Sequence, residues 1–337
     1  MPMRAPEFWH EPPGLAAGLL TPAGAAWDLA GRLRRAVARP YRAPVPVLCV
    51  GNLVAGGSGK TPVALALAAM LRQQGIAVHV VTRGYGGHLT GPVRVDPILH
   101  DASAVGDEAL LLAARTPCWV AKDRAAGIAA ASAAGAAAIL LDDGFQNPSV
   151  AKDLSLVVVD AEYGFGNGRV MPAGPLREPV AAGFARADAI ALIGDAAAPR
   201  PELSAASCPT LRAAVEPVDG ERFAGARLAA FAGIGRPEKF FMTLRRLGAQ
   251  LAATQAFPDH HPYDAGEIGR LRQMAACENA RLVTTAKDWV RLRPDLRAGI
   301  EVLEVEIRWH DPAMLRHVLN AFLQRAGDGR DARAAGG

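Results

Sequence analysis

Short apolar runs bounded by glycine, proline and polar residues recur along the chain. Between them lie longer stretches in which apolar residues return every three or four positions. Runs of continuous apolar character predict strands buried on both faces, at 45–50, 77–82, 116–121, 137–142, 154–159 and 188–193. Helical periodicity at 60–74 and 122–134 falls between them, and this alternation predicts a parallel α/β sheet flanked by helices. Ligands of such sheets sit at the C-terminal ends of the strands. A polar, alanine- and proline-rich stretch at 195–208 reads as a boundary or long loop. A second α/β pattern follows, with strands near 227–232, 281–285 and 301–306 and helices near 237–247, 265–278 and 311–325. The expected organisation is an N-terminal segment over 1–42, a larger domain over 43–208, a smaller α/β domain over 209–325 and a disordered tail over 326–337, whose apolar content is too low to fold.

The N-terminal segment breaks the alternation. From Ala26 onward, Ala26, Leu29, Leu33, Ala36 and Val37 share one helical face, while Asp28, Arg32, Arg35 and Arg39 share the other. Six arginines in residues 1–42 (Arg4, Arg32, Arg34, Arg35, Arg39, Arg42) stand against Glu7, Glu11 and Asp28, which is +3 of the chain's formal +4. A basic amphipathic helix suits an anionic membrane surface, and equally a helix packed on the protein's own core. The charge-free stretch Pro12 to Trp27, interrupted by Pro22, is too short to span a bilayer. No secretory signal is legible, and Cys49, Cys118, Cys208 and Cys277 form no CxxC pair, which argues for a reducing compartment without zinc or disulfides. Residues 43–337 hold 31 basic against 30 acidic side chains, which excludes a basic nucleic-acid binder.

The candidate chemistry starts at Val50 to Pro62, VGNLVAGGSGKTP, where a strand enters a glycine-rich loop and a helix. Gly56, Gly57 and Gly59 let successive backbone N–H groups converge on a phosphate. Lys60 can reach the β- and γ-phosphates of a nucleotide, and the Thr61 hydroxyl can ligand Mg²⁺. The strict GxxxxGK[ST] pattern is not met, because its first glycine falls on Val54. A second marker is AAILLDDGFQ, in which a buried strand delivers Asp142 and Asp143 at its C-terminal end, one to hold magnesium and the other to orient the nucleophile or its neighbour. Asp107 and Glu108 precede an apolar helix, where they serve as a helix cap or as site carboxylates. Pro258 to Tyr263, PDHHPY, concentrates titratable groups in a proline-bounded loop suited to proton handling.

Eight motifs in register over about 240 residues carry a resemblance: VGNLVAGGSGKTP, TRGYGG, VGDE, LDDGFQ, GNGRVMPAGPLREP, AGIGRP, FPDHHPY and TTAKD. Together they resemble the tetraacyldisaccharide 4′-kinases of lipid A biosynthesis. The resemblance implies transfer of the γ-phosphate of ATP to the 4′-hydroxyl of a tetraacylated glucosamine disaccharide 1-phosphate, at the cytoplasmic face of the bacterial inner membrane. It implies that the loop Val54, Ala55, Gly56, Gly57, Ser58, Gly59, Lys60 and Thr61 binds ATP, with Thr61, Asp142 and Asp143 at Mg²⁺ and Glu108 and Glu178 as further ligands. Asp107 and His260 would form a dyad in which Asp107 accepts the hydroxyl proton and His260 orients it or raises its basicity, with His261 the lesser candidate. Arg177 would stabilise the transferring phosphoryl group, and Gln146 resembles a site residue. Where many members carry His, this chain has Asn147, so any role there would fall to an amide.

The apolar face beside arginines at Trp27 to Arg42 could hold acyl chains and the acceptor's 1-phosphate together. The rival reading is a partner-gated ATPase or nucleotide switch, whose phosphate loops carry a lysine before the glycine pair. Ala55 occupies that place here, which favours a monomeric kinase. The Pro258 to Tyr263 loop is expected to close over the nucleotide.

Overall fold

The computed structural model describes residues 6–57, 59–194, 201–204 and 206–334. The chain divides into two compact units. Unit 1 comprises residues 1–83, 121–215 and 307–337, and unit 2 comprises residues 84–120 and 216–306.

Unit 1 is built on a sheet whose strands run in the order Val305–Trp309, Thr210–Pro217, Ala189–Ile193, Leu154–Asp160, Val47–Gly51, Ala138–Asp142, Val78–Thr82. The five strands from Ala189–Ile193 to Val78–Thr82 pair in parallel and are buried along their whole length, as their unbroken apolar runs require when helices cover both faces. Helix Lys60–Gln73 lays Val63, Ala64, Leu67, Ala68 and Leu71 on the three strands Val47–Gly51, Ala138–Asp142 and Val78–Thr82. Helix Arg124–Ala133, capped by the Asp123 carboxylate on the amides of Ala125 and Ala126, covers the last two of these strands as well.

Unit 2 carries a four-stranded parallel sheet in the order Gln250–Ala256, Arg227–Ala232, Arg281–Thr285, Ile300–Leu303. Phe223, Phe240, Phe241 and Leu244 pack in one apolar cluster. Phe231, Tyr263, Ile268 and Leu271 pack in a second, which includes the buried face of helix Ala265–Cys277. That helix opens with a full capping box between Asp264 and Glu267.

The expected strands and helices recur within a residue or two, with four differences. Strands Thr210–Pro217 and Gln250–Ala256 lacked an apolar run to announce them, because both leave half or more of their residues partly or fully exposed. The run near 301–306 resolves into Ile300–Leu303 and Val305–Trp309. The helix expected over 311–325 is described as Pro312–Ala334, which takes in residues 326–334 of the tail expected to be disordered. The N-terminal helix begins at Leu15 and runs to Val37 through Pro22, whose missing donor falls on the exposed side.

Among the described residues no helix is long and apolar enough to cross a membrane. The N-terminal helix nevertheless turns its apolar face outward: Leu15, Leu19 and Val37 are 90, 82 and 79% exposed, and Leu29 and Leu33 are more than half exposed. Its inward face is small and polar, with Ala17, Gly24, Asp28, Gly31 and Arg35 recurring at helical spacing. It is therefore not a surface helix that buries its apolar stripe on the core.

Gly106 sets the entry to helix Asp107–Ala113 at φ 86° and ψ 149°, a region essentially reserved for glycine, and a Cβ there would lie 2.3 Å from the Tyr85 carbonyl oxygen. Gly106→Ala is expected to cost about 2 kcal/mol or more. Urea unfolding checks this, and an unchanged midpoint would mean that the turn is not constrained as described.

Candidate functional site

Two charged clusters stand out, one in each unit. In unit 1, strand Val47–Gly51 runs into the glycine loop, where Gly56 and Gly59 adopt φ of 113° and 82° and leave room for converging amides before helix Lys60–Gln73 begins. Ser58, counted among the loop's phosphate binders, lies outside the described residues. The start of the loop pairs with residues 175–177. The Ala55 amide donates to the Pro175 carbonyl at 2.8 Å, Val54 bridges Leu176, and the Arg177 amide donates to the Leu53 carbonyl at 2.8 Å.

Beyond strand Ala138–Asp142 the chain turns at Asp143, which sits at φ 49°. Asp143 receives the Arg177 guanidinium on both oxygens, at 2.8 and 3.2 Å, and the Lys60 ammonium at 3.7 Å. Burial would raise the Asp143 carboxyl, but Lys60 and Arg177 hold it below its ordinary range. Asp142 is buried at the strand end and accepts from the Thr82 hydroxyl at 3.2 Å. Glu178, 1% exposed, is held by Arg186 on both oxygens at 2.8 Å, by Gln146 at 3.1 Å and by Arg35 at 3.6 Å. Gln146 also accepts from Arg177 at 3.3 Å. Asn147 is committed elsewhere, since its side-chain oxygen accepts from the amide and hydroxyl of Ser149, both at 2.7 Å.

In unit 2, His260 Nδ1 lies 2.8 Å from Asp107 Oδ2. Arg291 donates to the same oxygen through Nε at 2.7 Å and through its second guanidinium nitrogen at 2.5 Å, while Asp107 Oδ1 accepts the Glu108 amide at 2.8 Å. Lys287 lies 3.9 Å from Asp107 and 3.5 Å from Glu108. Burial opposes ionisation of Asp107, but the His260 hydrogen bond and the charges of Lys287 and Arg291 hold its carboxyl well below the usual carboxylate range. Arg291 is itself anchored on the Gly233 carbonyl at 2.5 Å and on Asp288 at 3.0 Å. Fully buried Asp288 also accepts from Tyr263 at 2.8 Å, from the Gly233 amide at 2.9 Å and from Thr285 at 2.7 Å. His261 stacks on Phe257 with ring centroids 4.6 Å apart and lies 3.0 Å from Glu267, which gives it a packing role.

Unit 1 therefore gathers Lys60, Asp143, Arg177, Gln146 and Glu178 and carries Thr61 and Asp142, while unit 2 pairs Asp107 with His260 and holds Glu108 against Lys287. Sequence reasoning missed Arg291. Its one signal was the three-residue spacing from Asp288, inside a run that also contains Arg293. Thr61 and Asp142 offer the hard oxygens that Mg²⁺ takes. Glu178 is already occupied by cations and an amide, and among the described residues no three acidic, His or Cys side chains group as a metal site. Few protein ligands, with phosphate and water completing the shell, is the habit of nucleotide-bound Mg²⁺.

A glycine loop between a parallel strand and a helix, with its lysine on a strand-end carboxylate, defines an α/β protein of the phosphate-loop nucleotide-binding class. The tetraacyldisaccharide-1-P 4′-kinase family pattern matches residues 16–324. A tetraacyldisaccharide 4′-kinase from Rhodospirillum centenum is 53% identical over 332 residues, covering 97% of this chain and 98% of that protein. One from Dinoroseobacter shibae is 54% identical over 336 residues, covering 96% and 99%. The chain belongs to this family of kinases. The structure of an "apo" form of LpxK from Aquifex aeolicus in complex with ATP matches the fold with a TM-score of 0.73 at 24% identity, over 92% of this chain and 100% of that one.

Asp107→Asn is expected to destabilise unit 2 by about 2 kcal/mol at pH 7, since buried Arg291 keeps Asp288 but loses the charge behind its hydrogen bonds to Asp107. The folded-state value of Asp107 lies below its unfolded 3.8, so this stability is present above pH 3.8 and lost as pH falls below it. Urea unfolding at pH 7 and at a pH below 3.8 should show the difference between wild type and variant shrinking on acidification. A difference independent of pH would remove the ion pair as its cause.

Proposed function

We propose that the chain transfers the γ-phosphate of ATP to the 4′-hydroxyl of tetraacyldisaccharide 1-phosphate, yielding lipid IVA, and that it works as a peripheral monomer at the cytoplasmic face of the inner membrane. The observation that carries the reading is the Lys60–Asp143–Arg177 cluster beside the glycine loop. Two cations are held ready by a carboxylate, and phosphate oxygens can take over their hydrogen bonds as charge spreads in the transition state. Thr61 and Asp142 would hold Mg²⁺, which neutralises phosphate charge when bound.

Unit 2 handles the proton. All the contacts that hold Asp107 favour its ionised form, so it is a weak base, and both oxygens are engaged. His260 binds it through Nδ1, which leaves Nε2, 3.7 Å from Asp259, as the atom suited to take the hydroxyl proton. Asp107 and Arg291 then orient the ring, as a carboxylate orients the imidazole in hydrolytic triads. This reverses the roles within the dyad that the resemblance implied.

The membrane reading rests on the outward apolar stripe of the N-terminal helix together with the local excess of arginine.

Transfer of labelled γ-phosphate to the lipid acceptor in detergent micelles tests the reading. Lys60→Ala and Arg177→Ala should each lower kcat/KM by about 10²–10³. Labelled lipid at wild-type rates from Lys60→Ala would refute the site. His260→Gln retains an amide that can hydrogen-bond Asp107 but has no basic nitrogen, and should lower kcat by about 10² or more. Near-wild-type turnover would return the proton to Asp107.

A further inference from the structure

The outward-facing N-terminal helix is not a free appendage, because its inward face is fastened to the segment that carries Arg177 and Glu178. In the turn ahead of the helix, Trp9 Nε1 donates to the Pro172 carbonyl at 3.1 Å, and the Asn167 amide donates to the Trp9 carbonyl at 2.9 Å. At Gly24 the helix comes so close that a Cβ would lie 2.7 Å from the Val170 carbonyl oxygen. Trp27 then donates from Nε1 to the Arg177 carbonyl at 3.2 Å, and two turns further on Arg35 reaches Glu178 at 3.6 Å. On its other side the same segment is paired with the glycine loop through Leu53, Val54 and Ala55. Residues 175–178 thus lie between a helix whose apolar face is open and the loop that receives phosphate, all within unit 1.

Trp27 stands at the junction. About half of its surface is exposed, on the helix that presents Leu29 and Leu33, while its ring N–H holds the backbone of Arg177. Amphipathic indole rings favour the boundary between lipid and water. A row of exposed leucines along one helix face marks an interaction site, and Arg32, Arg34 and Arg39 beside it are exposed and cationic, so the occupant that fits is an anionic lipid surface.

We propose that Trp27 and Arg35 are positioning residues through which a lipid surface covering the N-terminal helix orders Arg177 and Glu178, so that the phosphate site binds nucleotide most tightly when the helix is docked. The inference rests on the membrane reading above and adds a coupling to it: the helix reports the membrane to the nucleotide site as well as holding the protein there. By linkage, nucleotide binding strengthens membrane docking by the same factor.

The test measures the Kd of a fluorescent ATP analogue with Mg²⁺, with and without vesicles of equimolar phosphatidylethanolamine and phosphatidylglycerol, alongside vesicle co-sedimentation. Wild type should bind the analogue about 5-fold or more tightly with vesicles present. Trp27→Phe with Arg35→Gln keeps the apolar stripe and the outward arginines, so it should still co-sediment while losing the enhancement, and Trp27→Phe alone should lose part of it. Leu29→Glu with Leu33→Glu should lose both co-sedimentation and enhancement. Equal enhancement in wild type and in Trp27→Phe with Arg35→Gln would overturn the coupling, as would wild type that co-sediments with an unchanged Kd. Wild type that binds no vesicles, or that self-associates through the stripe, would overturn the coupling together with the membrane reading. Labelled-phosphate transfer in micelles would stand or fall separately.

Discussion

A carboxylate delivered from the end of a buried parallel strand has to be paired, and in unit 1 that constraint organises the site. Asp143 leaves its strand in a left-handed turn and meets both Lys60, from the first turn of the loop helix, and Arg177, from a segment more than thirty residues further along the chain. The pairing lets two cations approach each other in a partly desolvated place, which neither would tolerate alone. It also joins three separate stretches of sequence at the point where phosphate would arrive. Arg177 brings with it Glu178, Gln146 and, through Arg35 and the ring of Trp27, the N-terminal helix.

Unit 2 solves a similar problem around Asp288. This fully buried carboxylate accepts from Tyr263, Thr285, a backbone amide and Arg291, and so fixes the guanidinium that in turn holds Asp107. The hydrogen bonds run from Asp288 through Arg291 and Asp107 to His260. Asp288, Arg291 and Asp107 each have partners on both sides, and this is what allows three charged side chains to remain ordered with little access to water.

Much of this was legible in the sequence. The parallel sheet announced itself because strands buried on both faces must be apolar throughout, and the glycine loop because few functions other than holding phosphate need glycines and a lysine at that spacing. What escaped was set by tertiary pairing. Arg291 looked like any other arginine, the exposed strand Gln250–Ala256 had no apolar run, and Asn147 turned out to serve a local turn with Ser149. The periodicity of the N-terminal helix gave the composition of its apolar stripe but not its orientation, since the same wheel serves a helix packed on a core and one lying on lipid. The small inward residues, above all Gly24 against Val170, show only that the stripe faces outward.

The central claim is a division of labour, with unit 1 holding the nucleotide and unit 2 moving the proton. Calorimetric titration of Mg-ATP into Lys60→Ala and Asp107→Ala tests it most directly. Nucleotide binding lost in Lys60→Ala but retained in Asp107→Ala, whose phosphate transfer is nonetheless lowered because His260 loses the carboxylate that orients it, is the predicted result. Loss of nucleotide binding in Asp107→Ala to the same extent as in Lys60→Ala would contradict it.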